Sequence, residues 1–264
     1  MNVQMGICAR EEHVLKALIS DIHGNLEALT EVMKDIKKQR VDEVYFLGDV
    51  VGYGPDPEKC IDIVEKRAKV RLMGNHDLAM LTAPVGFNPV AAGAISCLRA
   101  RMEPGTYSMP WKRKRWQFLG VLNFAHREEE KLFVHASPRD PVTEYVLPSD
   151  PEYNPDKIAD IFERMEKLCF IGHTHFPGVI TPEPKFQSLQ DLDYHFAFGN
   201  EKAIINIGSV GQPRDKDPRA CYVLLSDREA VWRRVEYDYE KTIAKVQKLS
   251  CLDSRVGMRL AEGR

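Results

Sequence analysis

The segment LCFIGHTH (residues 168–175) joins an apolar run to two histidines, His173 and His175, that are separated by one residue. The apolar run has the length and composition of a buried β-strand. Residues i and i+2 of an extended backbone point to the same side, so both imidazoles would face one point beyond the strand end. On its own, a His-x-His pair is as typical of an ordinary strand or loop as of a metal site. The rest of the chain has to decide between these two interpretations.

Three earlier apolar runs share one form: each ends in a polar turn that leads into a segment with helical periodicity. They are residues 15–19, 44–47 and 70–73. This repetition predicts parallel βαβ units and therefore an α/β fold. From Pro89 to about Arg127 the periodicity predicts helices, and after His175 the chain becomes rich in β-strand patterns.

The chain shows no internal repeat, low-complexity tract or linker that would divide it. We therefore predict a single domain over residues 15–249. A flexible N-terminal extension at residues 1–14 would precede it, and a frayed C-terminal tail at residues 250–264 would follow it. The segment 82–127 and a loop at 182–198 are expected to determine substrate specificity, but neither contains a motif that identifies a substrate.

The composition points to a soluble cytoplasmic protein. The chain has 264 residues, 44% of them hydrophobic, and a formal net charge of −2. That charge gives no general attraction for nucleic acid or for an anionic membrane. No apolar run reaches the roughly 18 residues that would suggest a membrane-spanning helix. The first residues also lack the basic start and apolar block of a signal peptide.

The six cysteines are scattered and include no Cys-x-x-Cys pair. Several lie inside apolar runs, where a thiol packs as a small hydrophobic side chain. This distribution predicts reduced, mostly buried thiols in a cytoplasmic protein, and argues against a disulfide framework or a thiolate zinc site.

Polar residues with metal-binding chemistry follow five of the predicted strands. They are Asp21, His23, Asp49, Asn75, His76, His135, His173 and His175. Taken singly, Asp21 or Asp49 would suit a turn or a helix N-cap, Asn75 a turn, and His135 a hydrogen-bonded core position. In a parallel sheet, however, the carboxyl ends of the strands share one edge, where ligands bind. The joint occurrence of these residues at strand ends therefore favours a metal site.

This ordered set (Asp-x-His, Gly-Asp, Gly-Asn-His-Asp, a single histidine and Gly-His-x-His) resembles the calcineurin-like metallophosphoesterase superfamily. The stretches FNPVAA (87–92), SPRDP (137–141) and GSVGQPR (208–214) resemble its small single-domain bacterial and archaeal phosphodiesterase branch. The resemblance implies an α/β fold, a four-layer αββα sandwich of two mixed β-sheets flanked by helices. The chain departs from the family in having alanine, at Ala136, where a glycine often adjoins the single histidine. Alanine is small enough to leave that ligand in place.

The resemblance also implies that seven side chains hold two metal ions: Asp21, His23 and His175 the first, Asn75, His135 and His173 the second, with Asp49 between them. Four imidazoles and no thiolate favour Mn, Fe, Ni, Co or Zn over Mg or Ca, and we expect manganese first. Two divalent ions carry four positive charges and the two aspartates remove only two. The centre would therefore attract an anionic phosphate.

By the same resemblance, His76 is the candidate general acid and Asp77 would orient its imidazole. The alternatives are a structural role for His76 and a helix N-cap role for Asp77. Arg139 and Arg214 lie in polar loops just past strand ends and could hold the phosphate oxygens. A solvated surface position is the alternative for each arginine.

The expected protein is a metal-dependent phosphoric ester hydrolase that cleaves phosphodiester or pyrophosphate bonds of small nucleotide-type substrates by attack of a metal-bridging hydroxide. The alternatives are a phosphomonoesterase or phosphoprotein phosphatase, and a non-catalytic scaffold on the same fold. The expected partner is a small phosphate ester, with no stable nucleic acid partner, no membrane and a possible homo-oligomer. The basic run at residues 112–115, beside Trp111 and Trp116, is interpreted as the solvated face of a helix whose tryptophans pack inward.

Overall fold

A computed structural model describes residues 14–183 and 185–264. The predicted extension at residues 1–14 lies outside the described residues except for Val14. The described strands are β1 (Lys16–Ile19), β2 (Glu43–Phe46), β3 (Val70–Arg71), β4 (Ala125–Glu128), β5 (Lys131–Val134), β6 (Leu168–Ile171), β7 (Gly178–Ile180), β8 (Phe186–Ser188), β9 (His195–Ala197), β10 (Ala203–Asn206), β11 (Ala220–Leu225) and β12 (Glu229–Val235). The described helices are α1 (Leu26–Lys38), α2 (Pro57–Arg67), α3 (Asn75–Leu81), α4 (Pro89–Met102), α5 (Pro110–Gly120), α6 (Asp150–Tyr153), α7 (Pro155–Glu163), α8 (Tyr239–Gln247) and α9 (Arg255–Met258), with a 3-10 helix at Arg259–Glu262.

The described strands form two six-stranded sheets, in the orders β3-β2-β1-β11-β12-β9 and β4-β5-β6-β10-β7-β8. Both sheets are mixed. Strands β1, β2 and β3 run parallel in the first and β5, β6 and β10 in the second, while the remaining neighbouring pairs are antiparallel. The predicted α/β fold of two mixed sheets flanked by helices is confirmed.

Alternating side chains of the central strands build the separate layers of the core. In β1, Ala17 and Ile19 pack with the helices on the outer face of the first sheet. Leu18, between them, packs with Phe133 and Phe170 of the second sheet. Because successive side chains of a strand point to opposite faces, a strand covered on both sides must be apolar throughout. This is why the sequence shows continuous apolar runs.

Two segments differ from their predicted secondary structure. Helix α5 ends at Gly120, and the stretch assigned as helical up to about Arg127 contains the strand β4 instead. The predicted loop at 182–198 includes the short strands β8 and β9. These strands are three or four residues long and partly exposed, so they lack the apolar run that marks a buried strand.

The prediction that all cysteines are reduced is wrong for one pair, because Cys97 in α4 and Cys251 form a disulfide. Their sequence separation of 154 leaves no local pattern that could reveal the pair. Cys60, Cys169 and Cys221 are free and buried, as predicted, and Cys8 lies outside the described residues.

The C-terminal residues 250–264, expected to be a frayed tail, contain α9 and the 3-10 helix. Val256 is buried against Tyr53 and against the alanines of α4, and Leu260 is buried close by. The segment therefore forms part of the folded unit.

Two of the four residues in the basic run at 112–115 pair with carboxylates within the protein. Lys114 pairs with Glu65 and Arg115 with Asp62, both on α2. Of the flanking tryptophans, Trp116 packs against the core, whereas Trp111 is 54% exposed. No helix in the described part of the chain is long and apolar enough to cross a membrane.

Candidate metal centre

The loops after β1, β2, β5 and β6, together with the start of α3, bring the seven predicted ligands to one end of the two sheets. All seven side chains lie in residues that are at most 8% exposed. They are Asp21, His23, Asp49, Asn75, His135, His173 and His175. Their burial matters because charged and polar groups taken out of water need partners.

Asp21, His23 and His175 form the first group of the site. Nε2 of His175 lies 3.2 Å from Oδ1 of Asp21, and Nε2 of His23 lies 3.8 Å from the same oxygen. The two Nε2 atoms are 3.2 Å apart. Three potential ligand atoms therefore converge on one point.

Asn75, Asp49, His135 and His173 form the second group. Nε2 of His135 is 3.2 Å from Oδ1 of Asn75 and 3.4 Å from Oδ2 of Asp49. The ligand atoms of Asp49, His135 and His173 all lie within 4.8 Å of one another. The same Oδ2 of Asp49 is 3.7 Å from Nε2 of His23, so this carboxylate stands between the two groups.

Backbone carbonyls select the tautomer of each of the four histidines among the candidate ligands. Nδ1 lies within hydrogen-bonding distance of a carbonyl oxygen in three of them: 3.0 Å to Val51 for His23, 2.5 Å to Gln212 for His175 and 2.8 Å to Leu47 for His135. Because a carbonyl only accepts, Nδ1 must carry the hydrogen and the unprotonated Nε2 points into the site. His173 uses the opposite tautomer, with Nε2 donating to the carbonyl of Thr143 at 3.2 Å.

The unprotonated ring nitrogens of the histidines and the carboxylate oxygens of the aspartates therefore face one another, with few N–H or O–H donors among them. Oδ1 of Asp21 is buried and accepts no hydrogen bond within the described structure. Such an excess of acceptors is stable only around a cation. Nitrogen and oxygen donors held by backbone carbonyls are the arrangement expected around divalent transition metals. The residues therefore fit two metal ions in the grouping predicted from the sequence.

The protonation of the histidines follows from burial and from the aspartates. Burial lowers the pKa of His173 to about 3 and lowers the pKa values of His23 and His175. Burial also opposes protonation of His135, but Asp49 outweighs it and raises the pKa of His135 to about 9. A proton on His135 and a cation beside Asp49 are thus alternatives, and metal binding should release a proton there.

Five of the seven predicted ligands have a backbone in the left-handed region, with φ between 49° and 64°. They are Asp21, His23, Asp49, His173 and His175. Non-glycine residues are uncommon in this region, and each such residue costs about 1–3 kcal/mol. Surrounding contacts must therefore hold these loops in place.

Asp77 supplies one such set of contacts. Its carboxylate accepts hydrogen bonds from the backbone N–H groups of Asp49 (2.7 Å), Val50 (3.0 Å), Val51 (3.2 Å) and Gly74 (3.2 Å). Burial and the charge of Asp49 raise the pKa of Asp77 to about 8, while the amide donors favour the ionised form. Its described contacts do not include the imidazole of His76, so the predicted orienting role does not match this geometry. Its position in the first turn of α3, where its carboxylate accepts from the backbone N–H of the N-cap residue Gly74, is the signal for the role it has instead.

His76 lies beside the first group, with its ring centroid 4.7 Å from that of His23 and 4.7 Å from that of Tyr53. Its backbone N–H donates to Oδ1 of Asp49 at 2.8 Å. Nδ1 of the ring is buried without a hydrogen-bond partner, and burial lowers the pKa of the imidazole to about 4. A side chain at Gly52 (φ +101°) would overlap this ring, so the glycine is required for the approach.

The two predicted phosphate-binding arginines have different surroundings. Arg139 pairs with Glu144 at 3.3 Å and with Asp160 at 3.2 Å, and its contacts in the described structure include none of the predicted ligands. Arg214 donates to the side chain of Gln212 at 3.0 Å, and its Nε is buried without a partner. Of the two predicted arginines, therefore, only Arg214 has a buried guanidinium N–H group that is unpaired in the described structure.

Two tyrosines near the site were not predicted. The ring of Tyr145 lies 4.1 Å from that of His173, and the ring of Tyr53 lies 4.9 Å from that of His23. Both lie in loops without a motif, although the glycines on either side of Tyr53 indicate a close backbone approach. One aromatic ring therefore lies beside a histidine of each candidate metal-binding group.

The chain is similar to known proteins in sequence and in fold. A family model described as calcineurin-like phosphoesterase matches residues 17–177. An uncharacterized protein of Methanocaldococcus jannaschii is 34% identical over 257 residues, covering 94% of this chain and 98% of the relative. The crystal structure of a metallophosphoesterase from Sphaerobacter thermophilus is similar with a TM-score of 0.78 and 32% identity, covering 96% of this chain and 100% of the other. A hypothetical protein from Pyrococcus horikoshii shares the fold, with a TM-score of 0.71 and 17% identity, covering 95% of this chain and 98% of the other.

Proposed function

The chain belongs to the calcineurin-like phosphoesterase family and is a metal-dependent phosphoesterase, and on that premise we propose that it hydrolyses phosphodiester or pyrophosphate bonds of small nucleotide-type substrates. One observation carries this proposal: beside the candidate metal ligands lie two aromatic rings and, of the two predicted arginines, only Arg214 without a carboxylate partner among the described residues. Arg214 has a free Nε, whereas Arg139 is neutralised by two carboxylates. Tyr53 and Tyr145 can pack against organic groups on both sides of a phosphate. A phosphodiester has one negative charge and two such groups, which suits this composition better than a phosphomonoester dianion.

The seven ligand residues would hold two divalent ions, and manganese is the ion we propose. When bound, such ions supply an activated water and neutralise charge on the phosphate. The chain itself contributes the fixed tautomers of four histidines and the shared carboxylate of Asp49. These groups keep the donors in position without rearrangement during the reaction.

His76 is proposed as the acid that protonates the leaving alkoxide. Its lowered pKa keeps the free imidazole neutral, so it can become an acid only when an anion lies beside it. A phosphate bound next to His23 and Asp49 would provide that negative charge. The proposal therefore makes protonation of His76 depend on substrate binding.

A comparison of chromogenic substrates tests this function. The protein loaded with Mn²⁺ is assayed with bis-p-nitrophenyl phosphate and p-nitrophenyl phosphate at equal concentrations, with an Asp49→Asn preparation as the blank. We expect the diester to be cleaved at least about tenfold faster in kcat/KM. Faster cleavage of the monoester would overturn the diester assignment in favour of a phosphomonoesterase. Inactivity on all phosphate esters, with both metals bound, would favour the scaffold.

A further inference from the structure

The described contacts of the His76 ring are with other aromatic rings. Its Nδ1 is buried without a hydrogen-bond partner, and the carboxylate of the next residue, Asp77, accepts from backbone N–H groups instead. The ring centroids of His23 and Tyr53 each lie 4.7 Å from that of His76, and the centroid of Phe87 lies 4.9 Å from it. A group that transfers a proton has to keep one orientation, so packing must supply the constraint that a hydrogen bond would otherwise supply.

Phe87 is the member of this set whose described ring contacts include His76 alone. The two rings meet at an angle of 85°, the edge-to-face arrangement that aromatic pairs favour. His23, by contrast, is itself a candidate metal ligand, and the ring of Tyr53 lies 4.9 Å from that of His23. A change at Phe87 can therefore reach the imidazole of His76 with the least disturbance of the metal groups.

The backbone on both sides of Phe87 is anchored to helix α4. Asn88, the next residue, caps this helix, because its side chain accepts from the backbone N–H of Ala91 at 3.0 Å. At the start of the same connecting segment, the carbonyl of Thr82 accepts from the guanidinium of Arg99 on α4. The position of the Phe87 ring is thus set by the helix that follows it.

Helix α4 also joins Phe87 to Tyr53. The buried side chains of Ala91 and Ala94 on this helix form one apolar cluster with Tyr53, and Phe87 packs against the same cluster. Two rings of one packed unit therefore contact His76. Because close-packed side chains keep their rotamers, this unit can hold the imidazole in a fixed orientation.

We propose that Phe87 is a positioning residue for the acid: together with Tyr53, it holds the imidazole of His76 in the orientation in which it protonates the leaving group. This inference rests on the proposed function, in which His76 donates that proton, and adds a residue to it. Phe87 would act only through His76, so its removal should leave the metals in place. A leaving group that departs readily without a proton should not depend on Phe87.

The test compares Phe87→Ala with Phe87→Tyr, which keeps the ring, and with the control Tyr153→Ala, which removes a ring that is 71% exposed. All are loaded with Mn²⁺ and assayed with methyl phenyl phosphate and methyl p-nitrophenyl phosphate, which differ only in the leaving group. We expect Phe87→Ala to lower kcat for the phenyl ester about 10- to 100-fold, with the p-nitrophenyl ester within about threefold and KM for both within about twofold of wild type. Phe87→Tyr and Tyr153→Ala should match wild type on both esters. An equal loss of kcat on both esters, or no loss on either, would overturn the inference.

The double variant His76→Ala/Phe87→Ala shows whether the two residues act as one. If Phe87 acts through the imidazole, its removal costs nothing further once the imidazole is gone, so the double variant should match His76→Ala on the phenyl ester. A further loss would overturn the positioning role. If elemental analysis finds that Phe87→Ala has lost metal, Phe87→Leu, which keeps an apolar side chain without the ring, is assayed in its place with the same expectations. Loss of metal from both variants would also overturn the inference.

The same assays separate this inference from the proposed function. If wild type prefers monoesters, phenyl phosphate and p-nitrophenyl phosphate replace the diesters, and a loss confined to phenyl phosphate would support the positioning role while the diester assignment fails. If His76→Ala loses activity selectively on the phenyl ester and Phe87→Ala does not, the inference fails alone. If His76→Ala shows no such selectivity, or wild type cleaves none of these esters, the proposed acid and the inference both fail.

Discussion

The backbone N–H of His76 donates to Oδ1 of Asp49 at 2.8 Å, while Oδ2 of Asp49 faces His23 and His135. The proposed acid therefore contributes to the metal centre twice, through its main chain and through its ring. The main-chain contribution depends on the fold of α3 and survives any change of the side chain. The two contributions can therefore be separated by mutation.

His76→Ala should retain both metals and lose turnover. The N–H at position 76 still holds Asp49, whereas the proton donor is gone, so kcat should fall by about 10²- to 10⁴-fold. The loss should be largest for substrates with poor leaving groups, which need the proton most. Metal content by elemental analysis and kcat for a series of aryl phosphodiesters measure both effects. A metal-depleted His76→Ala protein would show that the ring is a ligand. His195→Ala, which changes an exposed histidine paired with Glu229, is the control.

Asp49→Asn should lose metal and activity together. Asp49 lies between the two ligand groups, and its replacement removes a negative charge that both ions would share. Elemental analysis should find close to two metals in the wild-type chain and at most one in the variant. Asp62→Asn, which removes a surface partner of Arg115, should behave as wild type. Two retained metals in Asp49→Asn would contradict its bridging position.

Asp77→Asn should reduce stability without changing the acid step directly. Four backbone N–H groups donate to the two carboxylate oxygens of Asp77, and asparagine keeps only one of these acceptors while its NH₂ group is itself a donor. Unpaired buried donors cost about 1–3 kcal/mol each, so the melting temperature should fall by several degrees. Thermal unfolding and the pH profile of kcat are the measurements. A normal melting temperature with a shifted pH profile would instead support the role of orienting His76.

Chelator-treated protein should lose stability on acidification below about pH 6.5. Burial lowers the pKa of His173 to about 3 and of His76 to about 4, from an ordinary value of 6.5. At a pH between the lowered pKa values of the folded chain and the ordinary value of 6.5, these histidines bind protons in the unfolded chain but not in the folded chain. The free energy of unfolding therefore falls as the pH falls through this range. His135, with a pKa raised to about 9, has the opposite effect and loses its contribution as the pH rises from 6.5 to 9. Melting temperatures measured from pH 4.5 to 9 should therefore peak between these limits. A flat profile on the acid side would contradict the neutral, buried state of these histidines.

Cleavage of the disulfide should loosen the C-terminal segment. The bond closes a loop with a sequence separation of 154, so Cys251→Ala should lower stability by about 2–5 kcal/mol. Denaturant unfolding measures this effect, with wild type in reductant as the comparison. Mass spectrometry after alkylation without reductant should show Cys97 and Cys251 unmodified, and alkylation of both would contradict the bond.

The sequence by itself determined the architecture and pointed to the candidate ligands. Apolar runs such as residues 168–171 must be buried on both faces, and polar residues directly after them must lie at one edge of a sheet. These are local relations, set by backbone geometry over a few residues. They lead to the expectation that the segment around His173 lies near Asp21, which is 152 residues away along the chain and in the structure accepts a hydrogen bond from the backbone of His173.

Only the tertiary structure decided which polar groups remain available for function. Arg139 and Arg214 occupy similar positions in the sequence, yet one is neutralised by Glu144 and Asp160 and the other is not. The same holds for Cys97, whose partner Cys251 comes from the C-terminal segment. The physical reason is that charge pairing and disulfide bonding depend on distances between remote segments, and no periodicity along the chain encodes those distances.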